Sequence, residues 1–236
     1  MKFNKLWNKN HIYKQFLNEF TEKKHKQLSL KGLQGSAISF FIASLAMEKK
    51  INSSLLLLTD NTESALHFFQ DIATFTGLEA NKHIFIFPSF EVLPYEDVSK
   101  DTHIMEQRIK VLSALAFLQK EKNYKKQKYS YPLIVVSTYR AILPRIISCR
   151  DFHKQYWKLK RNDNLPTKSF LNYLINQGFQ STHLIEYQGQ FSQRGGIIDL
   201  FPYNEENPIR VELDGDRVES IRFFSLSSQR SIKKTD

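Results

Sequence analysis

The chain has 236 residues, with 34 Lys and Arg against 24 Asp and Glu, a formal charge of +10 and 41% hydrophobic residues. This composition excludes collagen-like and disordered chains and allows one large domain or two ordinary ones. A single cysteine, Cys149, excludes a disulfide framework and a cysteine-based zinc site and suits a reducing cytoplasm. No stretch approaches the ~18 to 20 apolar residues of a membrane span, so no membrane partner is expected. The basic residues at the start precede no apolar run and do not read as a secretory signal.

Taken in order, Ile12, Tyr13, Phe16, Leu17 and Phe20 recur at helical spacing and predict an amphipathic first helix. Gln27 to Leu30 is a short strand candidate, followed by an apolar helix from Ala37 to about Met47. Ser54 to Thr59 is too apolar for a wet face and predicts a buried parallel strand. Asp60 and Thr62 are candidate caps for the next helix, whose inward stripe is Ala65, Phe68, Phe69, Ile72 and Phe75. Ile84 to Phe87 reads as a strand, Met105 to Leu118 as a helix and Leu133 to Ser137 as another buried strand. Alternation of strand and helix predicts a parallel α/β sheet over residues 1–146.

Beyond residue 146 the strands alternate in a half-exposed manner, which predicts a second, α+β domain over residues 147–236. Gln155 to Lys160 alternates, Lys168 to Asn176 is one helix, and Ser181 to Tyr187 is extended. Gln190 to Phe201 contains Gly195-Gly196, and Ile209 to Leu213 and Arg217 to Phe223 flank Asp214-Gly215-Asp216. The Asp-Gly pair is the strongest hairpin signal in the chain. The expected sheet is antiparallel.

The charge is unevenly placed. Residues 1–31 hold eight Lys and two Glu, and residues 119–128 hold five Lys and one Glu, which together account for the whole excess. The second segment reads as a solvated loop. With 24 Lys against 10 Arg, the composition argues against a base-reading surface, which leans on bidentate Arg. Weak, non-specific DNA contact remains open.

Few residues invite chemistry. A phosphate-binding loop needs G-x-x-x-x-G-K-[ST], in which backbone amides wrap phosphates and the Lys offsets their charge. The frame Gly32-Leu33-Gln34-Gly35-Ser36-Ala37-Ile38-Ser39 keeps the first Gly and the final hydroxyl. It has Ala37 at the second Gly and Ile38 at the Lys, and an aliphatic side chain cannot replace an ammonium. The loop is therefore read as degenerate, with no cofactor. The seven His are dispersed without metal-ligand spacing, and Cys149 lacks a His arrangement to activate it. No catalytic and no metal residue is assigned.

The remaining signal is Gly189-Gln190-Phe191-Ser192-Gln193-Arg194-Gly195-Gly196-Ile197-Ile198-Asp199-Leu200-Phe201-Pro202, followed by Pro208-Ile209-Arg210-Val211-Glu212, Asp216-Arg217-Val218-Glu219-Ser220-Ile221-Arg222 and Ser228-Gln229-Arg230-Ser231. With Phe87-Pro88-Ser89-Phe90-Glu91-Val92-Leu93-Pro94-Tyr95-Glu96, it resembles the UvrB-homology module at the N-terminus of the bacterial transcription-repair coupling factors (Mfd), from about Leu28 to Ser231. UvrB itself carries a working phosphate loop and a long aromatic hairpin. This chain has Ile38 and only about nine residues between Tyr95 and the Met105 helix, so the Mfd type is favoured.

The resemblance implies a P-loop-NTPase-like domain with a degenerate loop, then a small α+β domain that recruits UvrA without nucleotide hydrolysis. It implies a cytoplasmic repair protein whose RNA polymerase contact and ATP-driven DNA translocation reside in downstream parts not reached at Asp236. It assigns the UvrA contact to Arg194, with Phe201 as an apolar neighbour. A second family arginine falls after Gly178-Phe179, where this chain has Gln180, which weakens or moves that contact. Two roles are open to Arg194: facing a partner, which the motif favours, or pairing with Asp199 or Glu212 inside the sheet. A UvrB-like damage-binding component and a standalone basic nucleic-acid binder are the alternative functions.

Overall fold

The computed structural model describes residues 10–22, 27–48, 51, 53–90, 102–122, 133–155 and 157–235. The chain divides into two units: Met1–Val98 with Val111–Ile147, and Ser99–Lys110 with Ser148–Asp236. The second unit thus starts one residue past the expected cut and also takes in part of a helix from the middle of the chain. Residues 1–9, residues 123–128 of the lysine segment 119–128, and residues 91–101, on which the expectation of no long hairpin rests, lie outside the described residues; residues 119–122 are not loop but the end of a helix, Thr102–Lys122.

In the first unit, α1 (His11–Thr21) starts where the Asn10 side chain accepts the amides of Ile12 and Tyr13, at 2.9 and 3.2 Å. Its buried Tyr13 and Leu17 meet Phe41 and Leu45 of α2 (Ser36–Ala46), with the Tyr13 and Phe41 rings edge to face at 5.7 Å. Burial, with the Glu48 carboxylate beside it, pushes the Tyr13 hydroxyl far above its ordinary pKa. The expected strand at Gln27 to Leu30 is not formed. Those residues have no strand partner, and Leu30 is exposed.

Three parallel strands follow, β1 (Leu55–Thr59), β2 (Ile84–Phe87) and β3 (Ile134–Thr138), in the order β1-β3-β2. The helix α3 (Thr62–Thr76) is capped by Asn61, whose side chain accepts the Ser64 amide at 2.8 Å, rather than by Asp60 or Thr62. The predicted stripe is inward: Ala65 and Ile72 are buried, with Phe68, Phe69 and Phe75 beside them against Ile84, Ile86, Ile134 and Val136. The opposite sheet face buries Phe85, Phe87 and Val135 against Val111 and Ala114 of α4 (Thr102–Lys122) and Ala141 of α5 (Tyr139–Ile142). Alternate residues of β2 and β3 therefore enter separate clusters, and neither strand has a wet face.

β1 departs from its expectation. Leu55 and Leu57 pack inward, but Leu56 and Leu58 are 57% and 44% exposed. The strand lies at the sheet edge, and one of its faces is covered by no described element.

The second unit has α6 (Cys149–Lys154), α7 (Thr167–Asn176) and six strands in sequential order: β4 (Gln180–Ser181), β5 (Gln190–Arg194), β6 (Ile197–Leu200), β7 (Ile209–Asp214), β8 (Arg217–Phe224) and β9 (Ser231–Thr235). The sheet is mixed rather than antiparallel, because β4 runs parallel to β5. None of the described residues of the expected strand at Gln155 to Lys160 is in a strand, the extended segment at 181–187 contributes only the end of β4, and β9 had no sequence forecast. The core joins Phe170 and Leu174 of α7 to Phe191, Ile198, Val211, Val218 and Ile221. α7 begins where Asp216 accepts the Thr167 amide and hydroxyl, which ties the β7–β8 turn to the helix.

Both glycines of the β5–β6 turn have a physical cause. Gly195 sits at φ 58°, a left-handed conformation. A Cβ on Gly196 would lie 2.6 Å from the Leu213 carbonyl oxygen, whose neighbouring amide donates to the Gly196 carbonyl at 2.7 Å. The glycine pair thus lets β7 approach the turn and places Arg194 at the end of β5.

Candidate partner-binding face

A β-strand sends alternate residues to opposite faces. Since Phe191, Ile198, Leu200, Val211 and Ile221 enter the core with α7, the other face carries Gln190, Ser192 and Arg194 on β5, Ile197 and Asp199 on β6, Arg210 and Glu212 on β7, and Ser220 and Arg222 on β8. The strand register aligns Ser192, Asp199, Arg210 and Arg222 in one row, and Arg194, Ile197, Glu212 and Ser220 in the next. The face is therefore mostly polar, with Phe224 beside Arg210, and its Gln190 and Ser192 are buried against the 183–187 segment, whose backbone their side chains bond.

Asp199 is the centre of this face, its side chain only 4% exposed. Oδ1 accepts Nε of Arg210 at 2.7 Å, while Oδ2 accepts Nη2 of Arg210 at 2.9 Å and Nη2 of Arg194 at 2.8 Å. A buried carboxylate without such donors would be costly, and the two guanidinium groups supply both charge and hydrogen bonds. The bonds to Asp199 push the Arg210 guanidinium pKa up from its already high value. Arg210 also lies 4.6 Å from the Phe224 ring centroid, a cation–π contact. Glu212 is held by Ser220, whose hydroxyl donates at 2.7 Å, and by Arg222.

The two arginines on Asp199 differ. Arg210 is bidentate and 17% exposed, so its fork is consumed, whereas Arg194 makes one hydrogen bond and its side chain is 54% exposed. Of the two intramolecular partners open to Arg194, Asp199 holds it and Glu212 does not. That pairing does not bury it, and the rest of its planar fork faces solvent.

The other forecast residues sit elsewhere. Gln180 aligns with Gln190 on β4, and its side chain accepts the Tyr187 hydroxyl at 3.2 Å. At the strand rise this is about 13 Å along β5 from Arg194. Phe179 packs against the core and against the Tyr203 ring, with centroids 5.5 Å apart. Phe201 is buried with Ile185 and Phe224, level with Gln190, and offers no exposed apolar anchor beside Arg194. Arg210, Glu212 and Arg222 were not forecast as site residues. The available signal was the charge at every second position of β7, Arg210, Glu212 and Asp214, which becomes informative only once the register is known.

The loop at residues 32–39 of the first unit differs in placement from a phosphate-binding loop. No strand leads into it, Gly32 and Gly35 have φ of 88° and 53°, and Ile38 occupies the first turn of α2. Ser39 is fully buried and its hydroxyl has no hydrogen-bond partner, so it is not presented to a nucleotide or its metal. Among the described residues no group of His, Cys, Asp and Glu could hold a metal ion, and no helix is long and apolar enough to cross a membrane.

Residues 157–236 match the UvrB interaction domain family. The chain is 29% identical over 228 residues to the transcription-repair-coupling factor of Bacillus subtilis (strain 168), which covers 94% of this chain and 17% of that protein. The Staphylococcus aureus (strain bovine RF122 / ET3-1) factor is 31% identical over 180 residues, 76% of this chain and 14% of that protein. The Borreliella burgdorferi factor is 28% identical over 213 residues, 90% of this chain and 17% of that protein. The chain thus spans less than a fifth of the length of these relatives. These matches agree with the resemblance carried by the motifs: the chain bears a UvrB interaction domain at residues 157–236 and is related, along most of its length, to the transcription-repair-coupling factors.

Proposed function

We propose that the chain is a docking module of transcription-coupled DNA repair that recruits UvrA through its second unit and hydrolyses no nucleotide itself. The relationship to transcription-repair-coupling factors supports the process, and the UvrB interaction domain supports a partner-binding role. The observation that carries the reading is Arg194, anchored to a buried carboxylate yet half exposed on a sheet face not covered by α7. An arginine so held offers a planar charged fork at little conformational cost, which suits an acidic patch on a protein partner.

In this reading, contacts with RNA polymerase and translocation on DNA belong to parts of the longer relatives outside the matched stretch. Ile38 and the buried Ser39 support the absence of nucleotide chemistry. The direct test is retention of purified UvrA by the immobilised chain. Retention is the expected result, and failure to retain UvrA at micromolar concentration would contradict the docking role.

A further inference from the structure

The geometry points to Asp199 as a positioning residue that holds Arg194 in its partner-binding orientation while Arg210 acts as the internal counter-charge. This inference rests on the proposed UvrA contact of Arg194. Its basis is the asymmetry of the three-residue cluster. Arg210 closes a fork on both carboxylate oxygens, is largely buried and lies against the Phe224 ring. Arg194 touches only Oδ2, through one Nη2, and keeps the rest of its fork outward. Asp199 itself is too buried to meet a partner. It therefore acts through Arg194, by removing rotamer freedom that binding would otherwise have to remove.

The sign of the effect separates this role from a purely electrostatic one. Asp199→Asn removes a negative charge from a face proposed to meet an acidic patch, so charge alone predicts tighter binding. Loss of orientation predicts the opposite, because a neutral amide cannot hold both guanidinium groups, and their unscreened repulsion turns Arg194 away. A merely structural role changes folding stability without changing the affinity of the folded chain.

The test is the dissociation constant for UvrA of the full chain and its Asp199→Asn, Arg194→Ala and double variants, measured well below each unfolding midpoint. Positioning predicts about tenfold weaker binding for Asp199→Asn and little further loss when it is added to Arg194→Ala, a strong coupling between the sites. Unchanged or tighter binding by a folded Asp199→Asn would overturn it. If Arg194→Ala leaves binding intact, the underlying contact fails rather than the positioning role. Should Asp199→Asn not fold, Arg194→Lys decides: a point charge cannot remain on Asp199 and also present a planar edge, so it is expected to lose most of the Arg194 effect. Wild-type affinity of Arg194→Lys would contradict the inference.

Discussion

Arg194 and Arg210 bind the same carboxylate, but their exposures assign them opposite costs. Arg210→Ala removes two of the three hydrogen bonds on buried Asp199 and is expected to lower unfolding free energy by about 3 kcal/mol. Arg194→Ala leaves Asp199 satisfied by Arg210 and is expected to cost within about 1 kcal/mol. Urea unfolding of the two variants checks the order, and equal losses would contradict the division of labour. As a proposed contact, Arg194 was legible because its motif is distinctive. Its attachment to Asp199 rather than Glu212 was not, because that choice depends on a strand register that local sequence does not specify. Phe201 shows the same limit: an aromatic near an arginine in sequence is, after one strand reversal, at the far end of the strand and inside a cluster with Ile185 and Phe224.

The elements that could be read with little error are those whose pattern contains its own reference. The stripe of α3 and the two-residue turns of the β5–β6 and β7–β8 hairpins are of this kind. β1 is not, since an all-leucine run fits a buried strand and an edge strand equally, and only its single neighbour, β3, decides the matter. Leu56→Thr is expected to change stability by within about 0.5 kcal/mol, whereas Ile134→Ala in the central strand should cost about 2 to 5 kcal/mol. Chemical denaturation distinguishes them, and a large loss at Leu56 would show that β1 is covered. β4 and β9 were misjudged or unseen for a related reason. Two residues give β4 no detectable period, and the lysines of β9 do not read as strand although its backbone pairs with β8.

At the scale of the molecule, the +10 charge was the most visible feature and the least informative one. Its excess resides mainly in segments outside the described residues, while the candidate face sets three arginines against two carboxylates, a surplus of one. The first unit has a parallel sheet, and its loop at residues 32–39 has Ile38 where a phosphate-binding loop needs lysine, with Ser39 buried. Calorimetric titration with ATP and magnesium is expected to give no binding heat, and a micromolar site would contradict that account. The central claim concerns the second unit, and the affinity of UvrA for wild type and Arg194→Ala tests it most directly. A loss of about 2 kcal/mol, roughly 30-fold in the dissociation constant, is predicted if Arg194 is a hot spot. Equal affinity of the two proteins would contradict the claim.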